Sequence, residues 1–159
     1  MQVRGSLSPT AITSFLEDAT IPVRLACRTS ADHLWMCSLW YRLETTAVDD
    51  GPSDHDWRLR CATAASADIV SFLESDPEIA FEISTNDPPY TGVRGRGTAT
   101  IDSDPEKETL RDLLERYLGD TESGLARNLL RAEREEVTIT IDPAVVYGWD
   151  FTDRMSDTD

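Results

Sequence analysis

In Gly92-Val93-Arg94-Gly95-Arg96-Gly97 two arginines alternate with glycines, in a chain whose formal net charge is −15. Arginine presents a planar fork that grips a phosphate or carboxylate through two parallel hydrogen bonds. Glycine within a strand marks a bulge, a bend or a close approach of ligand or backbone. Two readings stand side by side here. The arginines line a site for an anionic ligand, or they pair with the protein's own surplus carboxylates at the bend of a barrel wall. Strand alternation puts Arg94 and Arg96 on one face and Gly95 and Gly97 on the other.

Other residues of the same chemistry lie elsewhere. Arg58, Arg60, Thr63 and Ser66 run from a strand into the start of a helix, where backbone N–H groups and a hydroxyl can hold an anion. Ser38-Leu39-Trp40-Tyr41 joins hydroxyls to flat apolar surface, and Tyr147, Trp149 and Arg154 do so near the C-terminus. A planar anionic cofactor needs these parts: arginines and donors for a phosphate, aromatic and aliphatic surface for a ring. Core or dimer packing is the competing reading for each of Trp35, Trp40, Trp57 and Trp149.

Several chemistries are excluded. No phosphate-binding loop ending in Gly-Lys-Ser/Thr occurs, and no Gly-x-Ser-x-Gly nucleophile elbow. His33 and His55 fall in or beside loops and read as surface residues. Cys27, Cys37 and Cys61 sit inside apolar strand patterns without zinc-type spacing, and read as buried free thiols with neither metal nor disulfide. Carboxylates are too many for any pair of them to single out a catalytic acid and base.

Thirty acidic residues face fifteen basic ones, and Lys107 is the only lysine. Since 40% of the residues are hydrophobic and periodic, the excess charge describes a folded protein with an anionic, hydrated surface rather than a disordered chain. The expectation is a halophilic protein of a salt-in cytoplasm, as in the haloarchaea. Nucleic acid is not expected as a partner, because no basic cluster larger than Arg94/Arg96 is present. No apolar run approaches a membrane span of about 20 residues. The polar start lacks the apolar core of a signal peptide, so the expected location is cytoplasmic.

The elements that must position these residues read as one domain, 1–159. A helix spans about 8–17, capped by Ser8 with Pro9 in its first turn. A hairpin follows, 21–29 and 33–44, then an acidic, aperiodic loop at 47–56. A third strand covers 56–63, and a short helix 67–74 starts at a Ser66 cap. Strands 78–84 and 90–101 come next, then helices 106–118 and 123–132. A sixth strand, 136–141, is broken at Pro143 before extended chain to Trp149. The barrel occupies about 20–152 and a polar tail 153–159. Six strands, about four helices and hairpin-length early connections describe an α+β domain, an antiparallel barrel with peripheral helices.

In its order of elements the chain resembles the FMN-binding split-barrel superfamily, the pyridoxamine 5′-phosphate oxidase-like proteins, over about 19–155. The likeness rests on four segments: Ser38-Leu39-Trp40-Tyr41 closing the second strand; Arg60-Cys61-Ala62-Thr63-Ala64-Ala65-Ser66 followed by Phe72-Leu73-Glu74-Ser75-Asp76-Pro77; Val93-Arg94-Gly95-Arg96-Gly97-Thr98-Ala99; and Trp149-Asp150-Phe151-Thr152-Asp153-Arg154-Met155. It implies a six-stranded split β-barrel and a flavin-dependent oxidoreductase acting on a small molecule. It also implies a homodimer with FMN sites at the interface. The FMN phosphate would lie near Arg60, Thr63 and Ser66, and the ring along Ser38, Leu39 and Trp40, with Trp149 or Arg154 reaching across from the partner. Many members carry a basic residue just after the serine, whereas this chain has Ala67-Asp68. The phosphate role therefore falls to Arg58, Arg60 or Arg94, or flavin affinity is reduced. The resemblance leaves two alternatives: a deazaflavin in place of FMN, and a dimeric binding or scaffold protein that has lost its cofactor. No catalytic residue or substrate is implied.

Overall fold

The computed structural model describes residues 1–46 and 56–156. Most of the loop read at 47–56, with His55, lies outside them, as do the last three residues of the tail. A short first strand, β1 (Gln2–Gly5), precedes helix α1 (Pro9–Asp18). Ser8 Oγ accepts from the Ala11 N–H at 3.2 Å, so the helix starts where its capping signal stands. Ile12 and Leu16, one turn apart, are its buried face.

Strands β2 (Val23–Arg28) and β3 (Leu34–Leu39) form the expected hairpin. The strand read as continuous over 33–44 is two: β3 ends at Leu39 and β4 (Tyr41–Thr46) begins after Trp40. The break is a change of partner, since β3 pairs with β2 while β4 pairs with β5 (Asp56–Ala64). Helix α2 (Asp68–Ser75) has Ala67, not Ser66, at its N-cap, and no side chain caps it. Strands β6 (Glu78–Ser84) and β7 (Thr91–Ser103) are followed by helices α3 (Glu108–Leu118) and α4 (Gly124–Leu129). The long strand β8 (Glu136–Asp150) and a single turn, α5 (Thr152–Met155), complete the described chain.

One sheet holds all eight strands, in the order β3-β2-β6-β7-β8-β5-β4, with β1 added parallel to the second half of β8. This corrects the six-strand expectation: β1 was not foreseen, and the second strand counts twice. The pairing path is open, ending at β3 and β4. These two ends are consecutive in the chain, joined at Trp40, so the sheet rolls round without closing its ladder. The second correction concerns Pro143, which does not break the last strand. It faces Gly97 where the β7–β8 register shifts, a bulge that requires no ladder N–H from proline. A Cβ on Gly97 would stand 2.1 Å from the Asp142 carbonyl oxygen. Only glycine lets the two backbones come this close.

Inside the rolled sheet lie Tyr41, Leu25, Ile83, Val93, Ile139 and Ile141, all essentially inaccessible, with α1 and α2 contributing Ile12, Leu16, Ile69 and Leu73. Tyr41 Oη donates to the Leu16 carbonyl at 2.9 Å, and Arg116 donates to those of Leu16 and Ala19, tying the end of α1 to α3. A second, smaller cluster of Leu110, Leu114 and Ala126 sits where α3 and α4 cover the outer face near β5. Lys107 is buried at the head of α3, and its ammonium donates to the carbonyls of Leu130 and Arg131 at the end of α4. Cys27 and Cys61 are buried free thiols, and Cys37 is half-buried.

Candidate functional site

Register decides which side chains meet on the outer face. One row across the sheet reads Ser38, Arg24, Glu82, Arg94, Tyr147, Arg4. The next reads Met36, Ala26, Ala80, Arg96, Val145. Val93 and Ala99 point into the core, so Arg94 and Arg96 stand outward together, as alternation requires. The two alanines are cross-strand neighbours with larger side chains around them, which leaves a depression with an apolar floor. The resulting groove has a volume of about 410 Å³ and is bordered by Arg4, Arg24, Arg94, Arg96, Met36 and Tyr147.

The arginines are held as a set. Arg94 lies over the rings of Tyr147, at 5.9 Å, and Trp149, at 5.5 Å. Arg4 lies over the same tyrosine at 5.6 Å, and its guanidinium donates to the Tyr147 hydroxyl at 2.8 Å. The Trp149 ring lies across Gly92, where a Cβ would come within 2.5 Å of it. Glu82, the register neighbour of both Arg24 and Arg94, ion-pairs with Arg24 at 3.5 Å. Among the described residues, Arg4, Arg94 and Arg96 have no carboxylate within ion-pair distance. The two sequence readings of the arginine–glycine strand are therefore resolved differently: Gly97 makes the bend, and among the described residues Arg94 and Arg96 pair with no carboxylate.

The remaining candidate residues fall in three places. Ser38, Leu39, Trp40 and Thr63 line one cavity of about 200 Å³, together with Arg134 and Glu136. Trp40 stacks on Tyr117 of α3, with ring centroids 5.1 Å apart and planes 10° from parallel. Burial raises the Tyr117 phenol above its ordinary pKa, so the wall behind Trp40 stays neutral. Arg58 is committed to Asp142 at 2.8 Å, and Arg60 donates to Thr109 Oγ1 at 3.0 Å, beneath α3. Alternation along β5 turns these arginines away from Thr63, and Ser66 is exposed in the turn before α2. The four residues of the expected phosphate cluster are thus not brought together. Arg154 is exposed, with its guanidinium 5.1 Å from the Phe151 ring. Arg4, Arg24, Ala26 and Ala80 carried no sequence signal, because each enters the groove through pairing between distant segments. Among the described residues no group of three or more His, Cys, Asp or Glu is placed to hold a metal. No helix among them is long and apolar enough to cross a membrane.

No protein-family model matches the chain, and no curated protein matches it. Solved structures do. A conserved hypothetical protein from Mycobacterium tuberculosis superposes with a TM-score of 0.68 at 22% identity, covering 91% of this chain and 86% of that one. An F420 reductase gives 0.66 at 21% identity, covering 87% and 98%. A Listeria innocua protein provisionally named a pyridoxamine 5′-phosphate oxidase gives 0.57 at 15% identity, covering 89% and 95%. At these identities the likeness is one of fold: a mostly antiparallel sheet with few helices, as expected, but with eight strands in an open path rather than six.

Proposed function

We propose that this split-barrel chain is a flavin-dependent oxidoreductase whose cofactor lies in the outer-face groove. The convergence of Arg4, Arg94 and Arg96 on one apolar depression carries the reading: three cations that pair with no carboxylate among the described residues, beside two aromatic rings, in a protein of net charge −15. The groove volume is within the ~300–1,000 Å³ usual for cofactor and ligand sites. Ala26 and Ala80 offer a flat floor to a ring, and Arg94 with Arg96, on the same face, suits a phosphate. A bound flavin supplies hydride or electron transfer to a small molecule. The chain's own part is to anchor the anion, to flatten the ring against the sheet, and to keep water from one side of it.

Beside the groove the outer face carries Met36, 61% exposed, and Leu34, 82% exposed. Apolar side chains on an open sheet face mark an interaction surface. A second copy of the chain laid over this face would close the groove, in a homodimer with a cofactor site at the interface. FMN is the first candidate for the cofactor. A deazaflavin with a polyanionic tail is the second, favoured by the spread of the arginines: Arg24 and Arg4 lie four strand spacings apart in one row, about 19 Å at ~4.8 Å per strand. The F420 reductase among the structural neighbours points the same way.

The test is the visible spectrum of the protein purified in molar KCl, followed by titration with FMN and with F420 and by light scattering. Flavin absorbance, or saturable binding by a dimer, is the expected result. A colourless protein that binds neither cofactor refutes the reading and favours a scaffold.

A further inference from the structure

Of the described residues bordering the groove, Glu82 alone carries a negative charge. In a site for an anion it opposes the ligand's phosphate, so its place there needs another reason. Its side chain lies on the outward face of β6 and is 42% exposed, open to the groove. One carboxylate oxygen is engaged: Oε1 accepts from Ser84 Oγ at 2.8 Å and from Arg24 Nη1 at 3.5 Å. Arg24 is fixed in turn by Asn86 Oδ1, which accepts from its Nη2 at 2.7 Å. Holding Arg24 takes only Oε1. The other oxygen, Oε2, has no partner among the described residues, and the contacts at Oε1 restrict how the carboxylate can turn.

Register sets a donor beside that acceptor. Arg24 is the cross-strand neighbour of Glu82 on β2, and its Nε–H makes no hydrogen bond among the described residues. On the other side Arg94 leans over Tyr147 and Trp149, toward β8. The groove thus has two poles: Arg24 with Glu82, and Arg94 with Arg96. A donor next to an acceptor matches a ring edge on which a carbonyl adjoins an N–H. A flavin has that edge at its pyrimidine end, where the imide N–H stands between two carbonyls, and a deazaflavin keeps it. We propose that Glu82 orients the ring. Its Oε2 accepts the imide N–H, Arg24 donates to the adjoining carbonyl, and the ribityl phosphate runs toward Arg94 and Arg96. The inference rests on the flavin reading of the groove and adds to it which end of the ring lies over β2 and β6.

FMN is the probe, and 3-methyl-FMN, in which a methyl group replaces the imide hydrogen, is its control. Both are titrated into the full chain in molar KCl by flavin fluorescence. FMN should bind at least tenfold more tightly than the control. Glu82→Met changes an outward side chain and spares the core. In that variant the two should bind within about twofold of each other, with 3-methyl-FMN held at least as tightly as before. Equal binding of the two to the unaltered protein overturns the inference and leaves the groove reading intact. So does a preference for FMN that survives Glu82→Met undiminished. Failure of FMN itself to bind overturns the FMN reading of the groove, and this inference with it.

Discussion

The bulge opposite Pro143 sets how the arginine strand turns, and Gly97→Ala perturbs it directly. The added Cβ would sit 2.1 Å from the Asp142 carbonyl oxygen, where ordinary contact begins at 3.4 Å. The obstacle is backbone, so no side chain can swing aside. Strand β8 must shift by more than an ångström at its bend. Asp142 also holds Arg58 at 2.8 Å, and that pair moves with it. Overpacking of a tight site costs about 1–3 kcal/mol, and a displaced backbone adds to it, so about 2–4 kcal/mol is expected. For a chain of this size that is roughly a 5–15 °C fall in melting temperature. Urea unfolding in molar KCl, followed by tryptophan fluorescence, reads the change. The control is Gly124→Ala at the start of α4, where an added Cβ meets nothing within 4 Å. It should leave stability unchanged or raise it by up to about 1 kcal/mol. If the two variants differ by less than about 0.5 kcal/mol, the close approach at Gly97 is not what bends the sheet.

Lys107→Met leaves the carbonyls of Leu130 and Arg131 without their charged donor, and should cost about 1–3 kcal/mol by the same urea assay. The thiols give a pH dependence. Burial pushes Cys37 up to about 11 from an ordinary 9.0, and raises Cys27 and Cys61 as well. The folded state holds these protons more tightly than the unfolded one. Their contribution is complete below pH 9 and is lost as the pH rises through the folded values, so the urea midpoint should fall between about pH 9 and 11. At pH 8 a thiol reagent should label all three cysteines in urea and none within minutes in the native protein. Repulsion among thirty carboxylates predicts a melting temperature that rises from dilute buffer to molar KCl, where charges are screened within about 3 Å. No rise would remove the halophilic reading.

What was legible in the sequence is what local physics encodes. Ser8 and Pro9 set the start of α1, and strict alternation marked β6 at 78–84 with both ends as observed. Alternation alone put Arg94 and Arg96 on one face. What depends on distant partners was not legible. β1 is four residues long and exists because β8 offers it a parallel edge. The strand at 33–44 gives no sign that it changes partner at Trp40. Pro143 reads as a breaker until Gly97 is set opposite it. The groove needs the registers of β1, β2, β6, β7 and β8 together before Arg4, Arg24, Ala26 and Ala80 meet the arginine pair. Arg60 looked available for a phosphate because Thr109, its partner, lies 49 positions along the chain.

The proposed role of Arg94 and Arg96 is to hold the anion of a flavin. FMN and riboflavin share a ring and differ in the phosphate, so the ratio of their affinities isolates the anion contact. Fluorescence titration in molar KCl should show FMN binding at least tenfold more tightly than riboflavin to the unaltered protein. In Arg94→Ala/Arg96→Ala the preference should vanish while riboflavin affinity holds, since charge-assisted contacts are worth about 1.5–3 kcal/mol each. An FMN preference that survives the double substitution undiminished would place the phosphate elsewhere and contradict the groove.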